Sequence, residues 1–434
     1  MTRTQWFLPV GFVLLLGCST LQAQPTRLRF THLTSDDGLS RSWVTAIVQD
    51  SLGFLWIGTA GGLNRYDGYR FSLYEHDPRD TSSLSSSYIR CLYVDRRGTL
   101  WIGTDAGISR YVPERDAFYN YTANRQTGFQ GGAVQDILED RQGTLWMAST
   151  NGLYRYDPKR GTFTLYRNDP SQATSLSHND VRAVLEDSKG NLWVATAGGL
   201  DRFDPIRGTF EHFRYDARQP RSLPHNVVMD LVEDPYGYLW VATDGGGLGR
   251  LNLWAIERGF DRFRHDPHNP KSLAIDRIRV LYVDREGRLW IGTENGGLDL
   301  FDYKTETFYH NRRSRIDPSS LNNESIWAIF QDRTGNLWFG TFAGGLNVLK
   351  KNSNAIEHYR SIPGDPYSLN SNAITRFYED RKGNLWVATD GGGFHRFDRQ
   401  TGRFYGYSTA NTNLRTDAVF AMVEDAEGYL WIGG

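Results

Sequence analysis

The stretch Asp50-Ser-Leu-Gly-Phe-Leu-Trp56 returns along the chain as a fixed phrase, Asp-x-x-Gly-x-Leu-Trp. Its other copies are Asp95 to Trp101, Asp140 to Trp146, Asp187 to Trp193, Asp234 to Trp240, Asp284 to Trp290, Asp332 to Trp338, Asp380 to Trp386 and Asp425 to Trp431. Successive tryptophans stand 45, 45, 47, 47, 50, 48, 48 and 45 residues apart. A near-constant period in this range marks a repeat architecture, in which each unit buries its apolar face against its neighbours.

Within one unit, four short segments rich in β-branched and aromatic residues follow one another: Val181 to Glu186, Asn191 to Thr196, Gly199 to Asp204 and Thr209 to Phe213,. Between the first two, Asp187-Ser-Lys-Gly190 reads as a tight turn in which Gly supplies positive φ and the Asp side chain accepts a turn amide,. Four antiparallel strands per unit make the blade of a β-propeller, so the expected fold class is all-β, with the repeated Trp packed between blades. Arg27-Leu-Arg-Phe-Thr-His32 and the following Gly38-Leu-Ser resemble an outer strand and its loop, with no other strands before them. A lone leading strand can complete the last blade and close a ring by both chain ends. The expectation is a seven-bladed propeller over 25–352, then residues 353–434 as the first blades of an incomplete second propeller. One ring of eight or nine blades is the alternative that a count of motifs leaves open.

Composition agrees. The chain has 434 residues, of which 14% are aromatic and 45 are glycines, enough large rings to build a core and enough turns for short strands,. With 49 Lys+Arg against 50 Asp+Glu, the net charge of -1 gives no electrostatic reason to expect nucleic acid,.

Arg3 precedes the apolar run Phe7 to Leu16, then small and polar residues, the layout of a signal peptide over 1–23 that sends the chain to the periplasm or outside the cell,. Cleavage after Ala23 is one option. Leu15-Leu16-Gly17-Cys18 resembles a lipobox that would put a lipid anchor on Cys18, and a buried first helix is the non-export alternative,. With Cys18 in this segment and only Cys91 beyond it, no internal disulfide is expected.

Asp50-Ser-Leu-Gly-Phe-Leu-Trp-Ile-Gly-Thr, then Gly62-Leu-Asn-Arg-Tyr-Asp-Gly, and the leading Ser35-Asp-Asp-Gly-Leu-Ser together resemble the two-component regulator propeller repeat family over about residues 28–434. The resemblance implies the periplasmic sensor region of a bacterial hybrid two-component histidine kinase, in which two seven-bladed propellers precede an immunoglobulin-like domain, a membrane helix and the kinase. It also implies a homodimeric full-length receptor, phosphorelay in that parent alone, and an oligosaccharide as the small-molecule ligand. The membrane would be reached only through a C-terminal segment beyond this chain or through Cys18. A secreted propeller lyase or glycosidase, or a protein-binding scaffold, is the rival reading.

Function should lie where the blades differ. Counting back from each turn Asp, the sixth residue is always Val or Ile (Val44, Ile89, Val134, Val181, Val228, Ile278, Ile326, Ile374, Val419), as packing demands. The fifth varies: Thr45, Arg90, Gln135, Arg182, Met229, Arg279, Trp327 and Thr375, and the seventh includes Trp43, Tyr88 and Arg277. Innermost strands would place these side chains round the mouth of the central channel. Rings there can stack on the C–H face of a sugar, and arginines can bond hydroxyls, carboxylate or sulfate; the alternative is that they only cap the mouth. The candidate ligand residues are Trp43, Tyr88, Arg90, Arg182, Arg277, Arg279 and Trp327, joined by the loop residues Asp105, Asp244, Glu294 and Asp390. No catalytic residue, cofactor or metal is expected, since Asp-x-x-Gly supplies one carboxylate where calcium needs several oxygens. The tryptophans Trp56, Trp101, Trp146, Trp193, Trp240, Trp290, Trp338, Trp386 and Trp431 are read as structural.

Overall fold

The structure is a computed structural model that describes residues 28–351, 359–399 and 401–434. The expected signal peptide and Cys18 lie outside the described residues. Eight four-stranded antiparallel sheets and one two-stranded pair follow each other along the chain. In the first sheet the strands are Val44–Gln49, Leu55–Thr59, Gly62–Tyr66 and Phe71–Tyr74, ordered from the inside outward. In the fourth they are Val181–Glu186, Leu192–Thr196, Gly199–Asp204 and Thr209–Phe213, within a residue of the strands read from sequence.

One side chain organises each unit. In the fourth sheet Asp187 Oδ1 accepts the turn amides of Lys189 and Asn191, both at 2.9 Å, and Gly190 turns the chain at φ 84°. The second oxygen, Oδ2, accepts the indole N–H of Trp193 at 2.8 Å. The same bond recurs in every unit, from Trp56 to Trp431, at 2.6 to 2.9 Å. The indole, its one polar atom satisfied, can then be buried between sheets: Trp193 packs with Leu231, Leu239 and Val241 of the fifth sheet,.

Each of the first six sheets packs on the next, and the seventh packs on the first. Its strands are Ile326–Gln331, Leu337–Thr341 and Leu346–Leu349, with Thr31–Leu33 paired antiparallel to Leu346–Leu349. Between several successive sheets, the amide after the turn Asp donates to the side chain that ends the neighbouring inner strand, as from Arg141 to Glu186 at 2.7 Å. From the seventh sheet to the first the same bond runs from Arg333 to Gln49 at 2.9 Å. Trp338 shares a core with Val44, Ile47 and Ile57 of the first sheet. The approach is close: a Cβ on Gly340 would stand 2.5 Å from Val44 Cγ1.

The eighth sheet, Ile374–Glu379, Leu385–Thr389, Phe394–Asp398 and Arg403–Tyr407, packs against the pair Ala421–Glu424 and Leu430–Gly433. Here the sequence expectation of uniform packing fails at two residues. Ile374 is exposed, unlike its buried counterparts Val44 or Ile326, and Trp431 is 64% exposed although its indole keeps the bond to Asp425. No second sheet covers either flank among the described residues, so the pattern is present without its partner. The third unit replaces the usual buried Leu by Phe129, which fills the same kind of core position.

Removing the clamp should cost most where the indole is buried. Asp187→Ala strands a buried indole N–H and two turn amides and is expected to destabilise by about 3 kcal/mol, against about 1 kcal/mol or less for Asp425→Ala. Urea unfolding of the two variants followed by circular dichroism checks this, and equal losses would remove the clamp from its central place. We propose, from the packing order, that residues 28–349 form one closed unit of seven sheets. A chain ended after residue 352 should then be at least as soluble as the whole, since it lacks the exposed Phe377, Val423 and Trp431,. Lower solubility together with a lower melting temperature would refute that unit.

Candidate functional site

A β-bulge decides which side chains reach the mouth of the channel. In each inner strand the pairing register slips by one residue, and the extra residue is the fifth before the turn Asp: Thr45, Arg90, Gln135, Arg182, Met229, Arg279 and Trp327. A bulged residue leaves the ladder and its side chain is re-aimed. The variable position found in the sequence is therefore the bulge position.

Most of the expected residues meet in one arc. Arg90 Nε donates to Asp105 Oδ1 at 2.5 Å while its guanidinium lies 4.8 Å from the Tyr88 ring centre. Tyr88 meets Trp43 edge-on at 5.5 Å, and Trp43 meets Trp327 edge-on at 5.2 Å. Phe342 joins both tryptophans, at 4.6 Å from Trp43 and 5.9 Å from Trp327, and is the most open of the four rings at 44% exposure. Arg279 lies 4.8 Å over Trp327 and donates to Glu294 Oε2 at 2.7 Å. Arg277 stands between Glu294 at 3.9 Å and Asp244 at 3.5 Å, which ends the arc. Burial raises the Tyr88 hydroxyl above its ordinary value, so it remains a neutral donor at physiological pH,.

Two expected residues fall outside the arc. Arg182 sits on the fourth sheet, where its Nη1 faces Met229 Sδ at 2.8 Å and its Nη2 donates to Asp180 at 3.0 Å. Asp390 belongs to the eighth sheet and is exposed, with its backbone held by Ala373 and Ser371. Among the described residues no group of three or more His, Cys, Asp or Glu is placed to hold a metal ion. Two hollows also lie elsewhere: about 710 Å³ along Ile374 to Tyr378 and Met422, and about 540 Å³ beside Trp254 and Tyr236.

Sequence reading missed one pair. Asp136 and Asp230 directly follow the bulge, where the other inner strands of the first seven sheets carry Ala46, Cys91, Ala183, Val280 and Ala328. Asp136 Oδ2 accepts Val184 N–H of the next sheet at 2.9 Å, and Asp230 Oδ2 accepts Leu281 N–H at 2.7 Å. Each carboxylate thus caps a free edge amide of a neighbouring inner strand. Crowding by protein pushes both carboxyls up to about 7, against the lowering effect of those amides, and the charge of Asp136 adds to the rise at Asp230. Both side chains are nonetheless partly exposed, which moderates that penalty,. The available signal was an acid at one position of an otherwise apolar or small series.

The fold and this mouth define a β-propeller repeat protein whose variable residues gather on one face. The family model for two-component regulator propeller repeats matches residues 38–61, 83–106, 128–151, 175–198, 222–245, 272–295, 320–343, 368–391 and 413–434, and the chain belongs to that family. It is similar to the extracellular domain of BT3049 from B. thetaiotaomicron, assigned to the hybrid two component systems. The two share 29% identity at a TM-score of 0.77, over 94% of this chain and 52% of that one. The extracellular domain of BT4673 from the same organism, assigned to the one component systems, is 26% identical at a TM-score of 0.60, over 93% of this chain and 57% of that one. Histidine kinase P4 of Formosa agariphila is 45% identical over 65 residues, 15% of this chain and 5% of that protein. The chain thus spans little more than half of the solved relatives and a small part of the kinase. No helix among the described residues is long and apolar enough to cross a membrane.

The two carboxyls set a pH dependence. A folded value near 7 against an unfolded value of about 3.9 means that their contribution to stability is present below the unfolded value and is lost as pH rises through about 7,. His212 and His310, raised by hydrogen bonds to Asp201 and Asp299, have the same sign, with stability lost above the ordinary histidine range,. The melting temperature is expected to fall between about pH 5 and about pH 8, and to fall less steeply in the Asp136→Asn, Asp230→Asn double variant. An unchanged slope in calorimetry of that variant would contradict the raised values.

Proposed function

We propose that this chain is the extracytoplasmic ligand-sensing region of a bacterial two-component receptor and that the aromatic arc binds an oligosaccharide. The observation that carries the reading is the continuous surface from Asp105 through Tyr88, Trp43, Phe342 and Trp327 to Glu294. Half-buried rings offer apolar area to the C–H face of a pyranose, and the flanking guanidinium–carboxylate pairs retain donors and acceptors for hydroxyls. The similarity to extracellular domains of signalling systems supports the sensing role. In a longer, homodimeric parent, ligand binding would bias the geometry of the propeller and so the activity of a kinase across the membrane. An N-terminal signal peptide, with or without lipid on Cys18, would deliver it to the periplasm.

A ligand of the native state stabilises it by mass action, by about 2.7 kcal/mol at a hundredfold excess over Kd. A thermal-shift screen against neutral, uronic and sulfated oligosaccharides, with product analysis of each mixture, tests the reading. At least one intact glycan is expected to raise the melting temperature, and the shift should disappear in Arg90→Ala and in Phe342→Ala, the latter removing the most exposed ring. Stabilisation accompanied by cleavage products would instead make the protein an enzyme, and a shift that survives both substitutions would move the site off the arc.

A further inference from the structure

From the charge pairing of the mouth we infer that the oligosaccharide this site accepts is neutral, carrying neither sulfate nor uronate at the arc. The inference rests on the reading of the arc as a glycan site. In sequence, four arginines at variable positions invite an anionic ligand. In the structure each is already matched: Arg90 with Asp105 at 2.5 Å, Arg182 with Asp180 at 3.0 Å, Arg277 with Asp244 at 3.5 Å and Arg279 with Glu294 at 2.7 Å. These four ion pairs carry no net charge. Arg41 and Glu324, on the outer-to-inner loops of the first and seventh sheets, again contribute one of each sign.

Geometry strengthens the cancellation. A sulfate or carboxylate approaching Arg90 or Arg279 would stand within a few ångströms of the carboxylate already bonded there, and repulsion would offset the attraction. One face of each of these guanidiniums is also taken, by Tyr88 and by Trp327, both at 4.8 Å. The electron-rich faces of the four rings add a further unfavourable term for an anion. A hydroxyl meets no such obstacle. It can donate to a free carboxylate lone pair and accept from an unused guanidinium N–H of the same ion pair, so a matched pair suits a neutral polyol better than a free arginine does.

The test uses the whole chain and matched probes: maltohexaose, xylohexaose and mannohexaose, their chemically sulfated derivatives, and a galacturonate hexasaccharide. Titration calorimetry is expected to show binding of a neutral probe with a Kd that changes by less than about twofold between roughly 50 and 500 mM NaCl, since no net charge is neutralised. Its sulfated derivative should bind at least about tenfold more weakly, and Asp105→Asn, which frees Arg90, should recover part of that loss. Tighter binding of a sulfated or uronic probe, weakening steeply with salt and lost in Phe342→Ala, would overturn the inference while leaving the arc a glycan site. Absence of binding by every probe would overturn the glycan reading and the inference with it.

Discussion

The bond from the tryptophan indole to the carboxylate six residues earlier is the interaction on which the rest depends. An indole is the largest apolar side chain available, but its N–H must find a partner before the ring can be buried. Here one carboxylate closes the turn with one oxygen and satisfies the indole with the other, as Asp187 does for Lys189, Asn191 and Trp193. Local turn chemistry and long-range packing are thereby joined in one residue. Where a following sheet is present, Trp193 and Trp240 are fully buried; at Trp431, with no such sheet among the described residues, the same bond holds an exposed ring. The bond orients the ring, and the neighbouring sheet supplies the burial energy.

Repetition of that device makes the sheets nearly interchangeable, which frees the inner-strand bulges to differ. Seven bulges present Thr, Arg, Gln, Arg, Met, Arg and Trp at equivalent positions, on a backbone whose register is the same in every one of these sheets. Rigid support and variable side chains are what a binding face requires. The rings fall together because the seventh, first and second sheets are neighbours in space, although Trp43 and Trp327 are far apart in the chain. Pairing of Thr31–Leu33 with Leu346–Leu349 holds those sheets together. The arc thus straddles the junction of the seventh and first sheets.

Below the mouth, the channel wall carries a different chemistry. Edge amides of the inner strands need acceptors, and at two places carboxylates from the neighbouring sheet provide them. Ionised acids in a crowded channel are costly, so burial raises Asp136 and Asp230 to about 7 although the amides they accept favour the charged form,. Their hydrogen bonds run between sheets, from the third to the fourth and from the fifth to the sixth.

The sequence alone determined the repeat and the strand boundaries within a residue in the fourth unit, because period, turn residues and alternation are local properties. It also singled out Trp43, Tyr88, Arg90, Arg279 and Trp327 as variable residues at a fixed distance before the turn. Tertiary structure decided what those residues are to each other. The bulge that re-aims them leaves no mark in a residue pattern, and the pairing of each arginine with a carboxylate comes from loops on the same or a neighbouring sheet. So does the separation of Arg182 and Asp390 from the arc. Asp136 and Asp230 show the same limit: in the sequence they stand out only as acids in an otherwise apolar or small series, and the neighbouring strand's amides and the crowded channel give them their chemistry. Contacts between sheets are made by residues tens to hundreds of positions apart, so ion pairing and ring clustering belong to the packing of neighbouring sheets rather than to any one repeat.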